Sequence, residues 1–350
     1  MDTRKLTYRT ILGVMLLLPM LVACAGNEVP VPEVEPVPEQ EDMLIRWDVQ
    51  SEGMVDGRML INDDTGLQAA CTPGSGDEAI GIWSAYRFEG DSVKNVLGVN
   101  GDVNLVYNAS TAWDNWEGWT YGEKAAFWKN KAVYYFNAYF PKVGSLTSIA
   151  NDSTSLKGTY NAETTQTDLM VSRVKVDTNA ETFQGSPVEL PLKHALATLQ
   201  FFFQMEGETA TNVLKSFSLD NTLKTFGHLN FNTEDMTVGN WTNHQASSSG
   251  RIYEWSSDSG ISFSASTSAN PYAGNGNDGH VFIIPQHCNT APTFSFESDL
   301  LSKEGVSMET TTFEPGKHYI YTIKMKGTTM DVTLRIKAWN ELKSSHNIPL

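Results

Sequence analysis

From Met43 onward, hydrophobic and polar positions alternate with a period of two. Met43, Ile45, Trp47 and Val49 interleave with Leu44, Arg46, Asp48 and Gln50, the pattern of a strand that buries one face. Comparable runs recur at residues 79–86, 103–107, 132–139, 169–176, 198–204, 228–232, 281–284, 293–296, 318–324 and 330–339. Clusters of Gly, Asn, Asp, Ser and Pro separate them, which is turn chemistry. Short strands at such intervals predict an all-β fold of sandwiches rather than alternating βαβ units. Helix is confined to short stretches at 65–70, 122–131 and 208–216. A polar stretch at 181–187 separates two strand-rich halves, so one sandwich is predicted over residues 43–185 and a second over 186–350.

The first 42 residues follow no such pattern. Arg4, Lys5 and Arg9 precede an apolar run over 11–22, shorter than the ~20 residues of a membrane span. The run ends in Leu21-Val22-Ala23-Cys24, which has the form of a lipobox. A lipoprotein signal needs a small residue before a cysteine, because the thiol takes a diacylglycerol and cleavage frees the amine for a further acyl chain. Residues 1–23 are therefore the expected signal peptide, and Cys24 the expected anchor in outer-membrane lipid. Each buried methylene of that anchor adds ~0.8 kcal/mol. Residues 24–42 alternate Pro with acidic residues and predict an extended, self-repelling tether.

Composition sharpens this picture at three points. The 350 residues are 40% hydrophobic and 11% aromatic, enough apolar surface to offset the entropy of ordering. Loss of residues 1–23 would remove three basic residues and one acidic residue, taking the formal net charge from −16 to −18. That balance argues against a nucleic-acid partner, since phosphate neutralisation needs clustered Lys and Arg. Three cysteines exclude a disulfide-dense scaffold. With Cys24 acylated, Cys71 and Cys288 remain in different predicted halves and are expected as separate thiols.

Catalytic chemistry is sparse. Gly274-Asn-Gly276-Asn-Asp-Gly279 matches a dinucleotide-loop pattern in letters, but it leads into a strand instead of opening a helix onto a pyrophosphate. His280, His287 and Cys288 bracket a strand, yet the two histidines are seven residues apart and face opposite sides of it. No G-x-S-x-G elbow, P-loop or H-E-x-x-H occurs. The sequence predicts no enzyme activity, no cofactor and no metal. Trp113, Trp116, Trp119, Tyr121 and Trp128 crowd one segment. They serve either as sandwich core, the reading favoured by their bulk, or as a platform for sugar rings.

Several segments, in order, resemble the fimbrillin-like subunits of type V pili from Gram-negative gut and oral anaerobes. They are Ile80-Gly-Ile-Trp-Ser-Ala-Tyr, Tyr134-Tyr-Phe-Asn-Ala-Tyr-Phe-Pro141, Asp168-Leu-Met170, Pro191-Leu-Lys-His-Ala-Leu-Ala-Thr-Leu199, Phe313-Glu-Pro-Gly-Lys-His-Tyr-Ile-Tyr321 and Ile336-Lys-Ala-Trp339. The resemblance implies two transthyretin-like β-sandwiches and a structural or adhesive role on the cell surface, in a fimbrium with other pilus subunits as partners. It also implies that a protease cuts after an Arg, removes the first strand, and opens a groove for a neighbour's C-terminal strand. The removable strand would carry Met43, Ile45, Trp47 and Val49. The Arg candidates are Arg46, in mid-strand, and Arg58, which follows the turn signal Asp56-Gly57 and is preferred. At the other end Val332, Leu334 and Ile336 form the alternating strand that would take part in exchange. The alternative is a surface lipoprotein that binds host or microbial glycans without polymerising.

Overall fold

The computed structural model describes residues 44–51, 64–72, 80–92, 94–95, 103–108, 118–121, 126–142, 145–152, 155–180, 183–207, 211–220, 222–233, 235–246, 252–274 and 279–338. The fold they form is all-β. Strands of the first half are β1 (Trp47–Ser51), β2 (Ile80–Phe88), β3 (Lys94–Asn95), β4 (Val103–Asn108), β5 (Gly118–Tyr121), β6 (Ala132–Phe140), β7 (Thr147–Asp152), β8 (Ser155–Asn161) and β9 (Met170–Asp177). Then come β10 (Val188–His194), β11 (Ala197–Met205), β12 (Asn212–Leu219), β13 (Lys224–Phe231), β14 (Trp241–Ala246), β15 (Ile252–Phe263) and β16 (Val281–Ile283). The chain continues through β17 (Gln286–His287), β18 (Thr293–Ser298), β19 (Ser302–Ser307), β20 (Thr312–Phe313), β21 (Lys317–Lys326) and β22 (Thr329–Ala338). One short α-helix, α1 (Asp64–Ala70), lies among the described residues where helix was predicted.

The largest sheet runs β1-β10-β9-β6-β2-β4-β5, with β3 on β2. Its central strands are buried on both faces. Along β6, Ala132, Tyr134, Phe136, Ala138 and Phe140 enter one core, while Tyr139 enters another. The same parity places Ile80, Ile82 and Met170 on the first side and Trp83 and Val171 on the second, because successive side chains of a strand point to opposite faces. A strand covered twice loses its polar alternation, which is why residues 134–140 read as a nearly continuous aromatic run.

The first core closes when β10 leaves the sheet. Only Lys193 and His194 of β10 pair with β9, whereas Val188–Leu192 pair with β1. Pro191 lacks an N–H and cannot extend a ladder on the β9 side. Val188, Leu190 and Leu192 therefore face Ile80, Ile82 and Phe136 across the first core. A further core lies between the sheets β16-β11-β21-β22 and β15-β12-β18-β19 and is filled by Phe201, Phe203, Phe217, Phe294, Phe296 and Tyr321. Phe201 stacks on Tyr321 at 5.1 Å. Gly316, at φ 65°, supplies the positive angle that the Pro315-Gly316 turn needs, and its N–H donates to the Leu196 carbonyl.

The remaining core joins the two halves. The sheet β14-β13-β8-β7 pairs β8 of the first half with β13 of the second, from Leu156↔Phe231 to Asn161↔Phe226. Its inner face brings Leu156, Tyr160, Leu229, Phe231 and Trp241 onto Trp83, Tyr139 and Val171. Ladders thus cross the 185/186 division three times, through β1–β10, β9–β10 and β8–β13.

Two helix expectations are overturned. Residues 212–219 form β12, where a bulge between Leu214 and Ser216 shifts the side-chain parity and hides the period of two. Within 122–131, residues 126–131 are extended and then turn, and Phe127 bridges to Leu44. That backbone is committed to β1, since Ile45 N–H donates to the Ala126 carbonyl.

A buried polar group sits where the halves meet. His194, read from sequence as a structural histidine, is buried with Nδ1 2.9 and 3.1 Å from the two oxygens of Asp168. Nearby, His318 lies with its ring 5.0 Å from that of His280. Burial, followed by the charges of His280, His194 and Lys337, holds the His318 pKa well below its ordinary 6.5. The unfolded chain takes up this proton near pH 6.5 and the folded chain resists it, so the stability is full above that pH and drains away below it. Urea unfolding at pH 5.5 should show about 1 kcal/mol less stability than at pH 7.5 from this group, and His318→Gln should flatten that part of the pH profile.

Candidate functional site

The first strand is short and is held at one edge of the large sheet. Ile45, Trp47 and Val49 are 0%, 6% and 2% exposed, while Leu44, Arg46, Asp48 and Gln50 face outward. Its ladder is parallel to β10, with Trp47↔Val188, Val49↔Leu190 and Ser51↔Leu192 in register, and the Val188 N–H donates to the Arg46 carbonyl at 2.8 Å. In a parallel ladder that polarity gives β10 alternate residues whose N–H and C=O both point at β1. Beyond the strand, the Ser51 N–H donates to Asp64 Oδ1 at the start of α1, 2.6 Å away. This contact ties the strand's end to the next element across residues 52–63.

Trp47 is the largest group in this seat. Its ring meets Phe136 edge-on at 5.2 Å, and Phe136 in turn meets Trp128 at 5.9 Å and stacks on Tyr134 at 5.7 Å. Edge-to-face geometry of this kind adds to the area buried. The walls are completed by Val188, Leu190 and Leu192 on β10, by Leu67 and Cys71 around α1, and by Trp119 on β5. Without β1, the groove would expose this apolar floor and a row of unpaired backbone groups on β10.

Of the residues singled out from sequence, Ile45, Trp47 and Val49 share this groove. Arg46 is exposed on the strand's outer face, and its carbonyl is part of the ladder. Met43, Arg58 and Cys24 lie outside the described residues. Val332, Leu334 and Ile336 lie elsewhere, on β22, which pairs only with β21 and forms one edge of its sheet. Val332 and Leu334 are half-buried against the core of the second half, and Ile336 is 51% exposed. Trp119 and Trp128 belong to the core around β1. Trp113 and Trp116 lie outside the described residues.

His287 Nδ1 is 2.8 Å from Thr312 Oγ1, His280 Nδ1 is 3.3 Å from Gln200 Nε2, and Cys71 and Cys288 are buried thiols in different cores. Burial pushes the Cys288 thiol pKa up. Among the described residues no group of three His, Cys, Asp or Glu side chains is placed to hold a metal ion.

The groove walls on β10 escaped the sequence analysis. Val188, Leu190 and Leu192 alternate with Glu189 and Pro191, a period of two that is visible in the sequence.

Among solved structures, this all-β fold is similar to that of a fimbrial protein from Bacteroides vulgatus. The two share 14% identity over 85% of this chain and 99% of that one, with a TM-score of 0.60. The tip fimbrial protein Mfa3 from Porphyromonas gingivalis aligns at 9% identity and a TM-score of 0.39, over 83% of this chain and 99% of that one. No curated protein matches the sequence significantly. The fimbrillin-like family model matches residues 72–339, and the chain belongs to that family.

Trp47→Ala should cost about 3–5 kcal/mol in denaturant unfolding, because it removes an indole from a packed aromatic floor. Asp48→Ala, on the opposite face of the same strand, should stay within about 0.5 kcal/mol of the parent.

Proposed function

We propose that the protein is a structural or adhesive subunit of a surface fimbrium, carried to the outer membrane as a lipoprotein through Cys24 and joined to other subunits by β-strand exchange. In this reading a protease cuts after Arg58, β1 leaves, and a neighbour's strand takes its place beside β10. The observation that carries the reading is the seat of β1. This strand is short, is paired along one edge by β10, and nevertheless buries three apolar side chains in the first core. Its loss would leave a vacancy that only another extended segment can fill, supplying ladder and core at once.

The geometry also supports Arg58 over Arg46. A cut after Arg46 would leave Trp47–Ser51 paired to β10, whereas a cut after Arg58 falls beyond Ser51 and frees the whole strand. Family membership supports the fimbrial role, and Leu21-Val22-Ala23-Cys24 supports the lipid anchor.

In cells that assemble the fimbrium, the parent chain should appear on a denaturing gel run without boiling as a heat-labile ladder. Arg58→Gln should abolish that ladder, and Arg46→Gln should leave it intact. A parent chain that is cut yet stays monomeric, or an Arg58→Gln chain that still polymerises, would overturn the proposal. Separately, Cys24→Ser should lose incorporation of labelled fatty acid and leave the membrane fraction.

A further inference from the structure

We infer that the strand accepted by this groove carries an aromatic residue at its central inward position, and that residues 330–350 of another copy of this chain do not supply it. The inference rests on the strand-exchange reading above and specifies its partner.

The native occupant shows what the groove selects. Three inward seats lie along β1, at Ile45, Trp47 and Val49, opposite a β10 face made of Val188, Leu190 and Leu192. The outer two seats hold β-branched aliphatic residues, which many strands supply. The central seat holds an indole whose floor is the edge of Phe136, backed by Trp128 and Tyr134. These three rings are fully buried and come from β6 and from the segment that precedes it, so the floor cannot collapse into a vacancy without disturbing β6, a strand packed on both faces. A small central residue would leave a void the size of a ring, and the loss on making such a void is largest where the surroundings cannot relax. The outward positions, by contrast, carry Arg46, Asp48 and Gln50 and make few demands.

This chain's own exchange candidates do not fit the requirement. On β22 the alternating apolar residues are Val332, Leu334 and Ile336, so the centre is a leucine. Across residues 330–350 the one Phe, Tyr or Trp is Trp339, flanked two residues away by Lys337 and Glu341, which would place charges in the outer seats. No segment of that region offers three alternating apolar residues with a ring in the middle.

The test uses the full chain after limited cleavage at Arg58, with the protease then inhibited. Four isotope-labelled peptides are added in excess: residues 44–51, the same peptide carrying Trp47→Ala, the same peptide carrying Trp47→Phe, and residues 331–338. Native mass spectrometry reads which enters the groove in exchange for the cut strand. The 44–51 peptide should be taken up. The Trp47→Ala peptide should be retained about a hundredfold more weakly or worse, and a Trp47→Phe peptide should recover most of the loss. The 331–338 peptide should bind no better than the alanine version. Equal uptake of the tryptophan and alanine peptides, or strong uptake of 331–338, would overturn the aromatic requirement while leaving strand exchange standing. Failure of every peptide, the 44–51 sequence included, would instead sink strand exchange itself.

Discussion

The constraint on which this molecule depends is that β2, β6 and β9 are covered on both faces where residues 80–85, 136–140 and 170–172 lie side by side. One parity of their side chains builds the core around β1, and the other builds the core that fastens the first half to β13 and β14. A one-residue slip in register would move every one of those groups to the wrong side. The middle of the sheet is therefore fixed by packing on two sides at once. The edge is not: β1 has one ladder and three inward side chains. Rigidity at the centre and modest attachment at the rim together make a removable strand compatible with a stable scaffold.

The interlocking of the halves has a related cause. The β7–β8 hairpin belongs to the first half in sequence but completes a sheet with β13 and β14, and Gln166 after it receives the Phe282 N–H and donates to the Tyr253 hydroxyl and the Ala162 and Phe282 carbonyls. Trp241 closes the same region by donating its indole N–H to the Ala195 carbonyl, at the link between β10 and β11. Polar groups buried here are placed by neighbours on several strands, which makes the junction specific as well as apolar.

How much of this was legible in the sequence depends on local regularity. The strand at Trp47 was visible because its alternation is uninterrupted, and β6 because aromatic and small residues run without a turn signal. In contrast, β15 has the sequence Ile-Tyr-Glu-Trp-Ser-Ser-Asp-Ser-Gly-Ile-Ser-Phe, and its pairing to β12 carries register shifts. Ser and Gly there look like loop, and the residues that pack against the core do not keep a strict period. The groove could be half seen: its occupant was plain, but its walls came from Phe136, Trp128 and Val188, which only the three-dimensional fold brings together.

The parallel direction of β1 and β10 has a mechanical consequence. Suppose a strand in the place of β1 is pulled from its N-terminal end, while β10 is held through its C-terminal end by the link into β11. The two are then drawn past each other along their common axis. That loads the interstrand bonds and the seated side chains in shear, so they must yield together instead of unzipping one after another. Such a pairing resists a pull along the strand axis far better than it resists peeling, so the same short strand can be gripped firmly under tension yet taken out from one end.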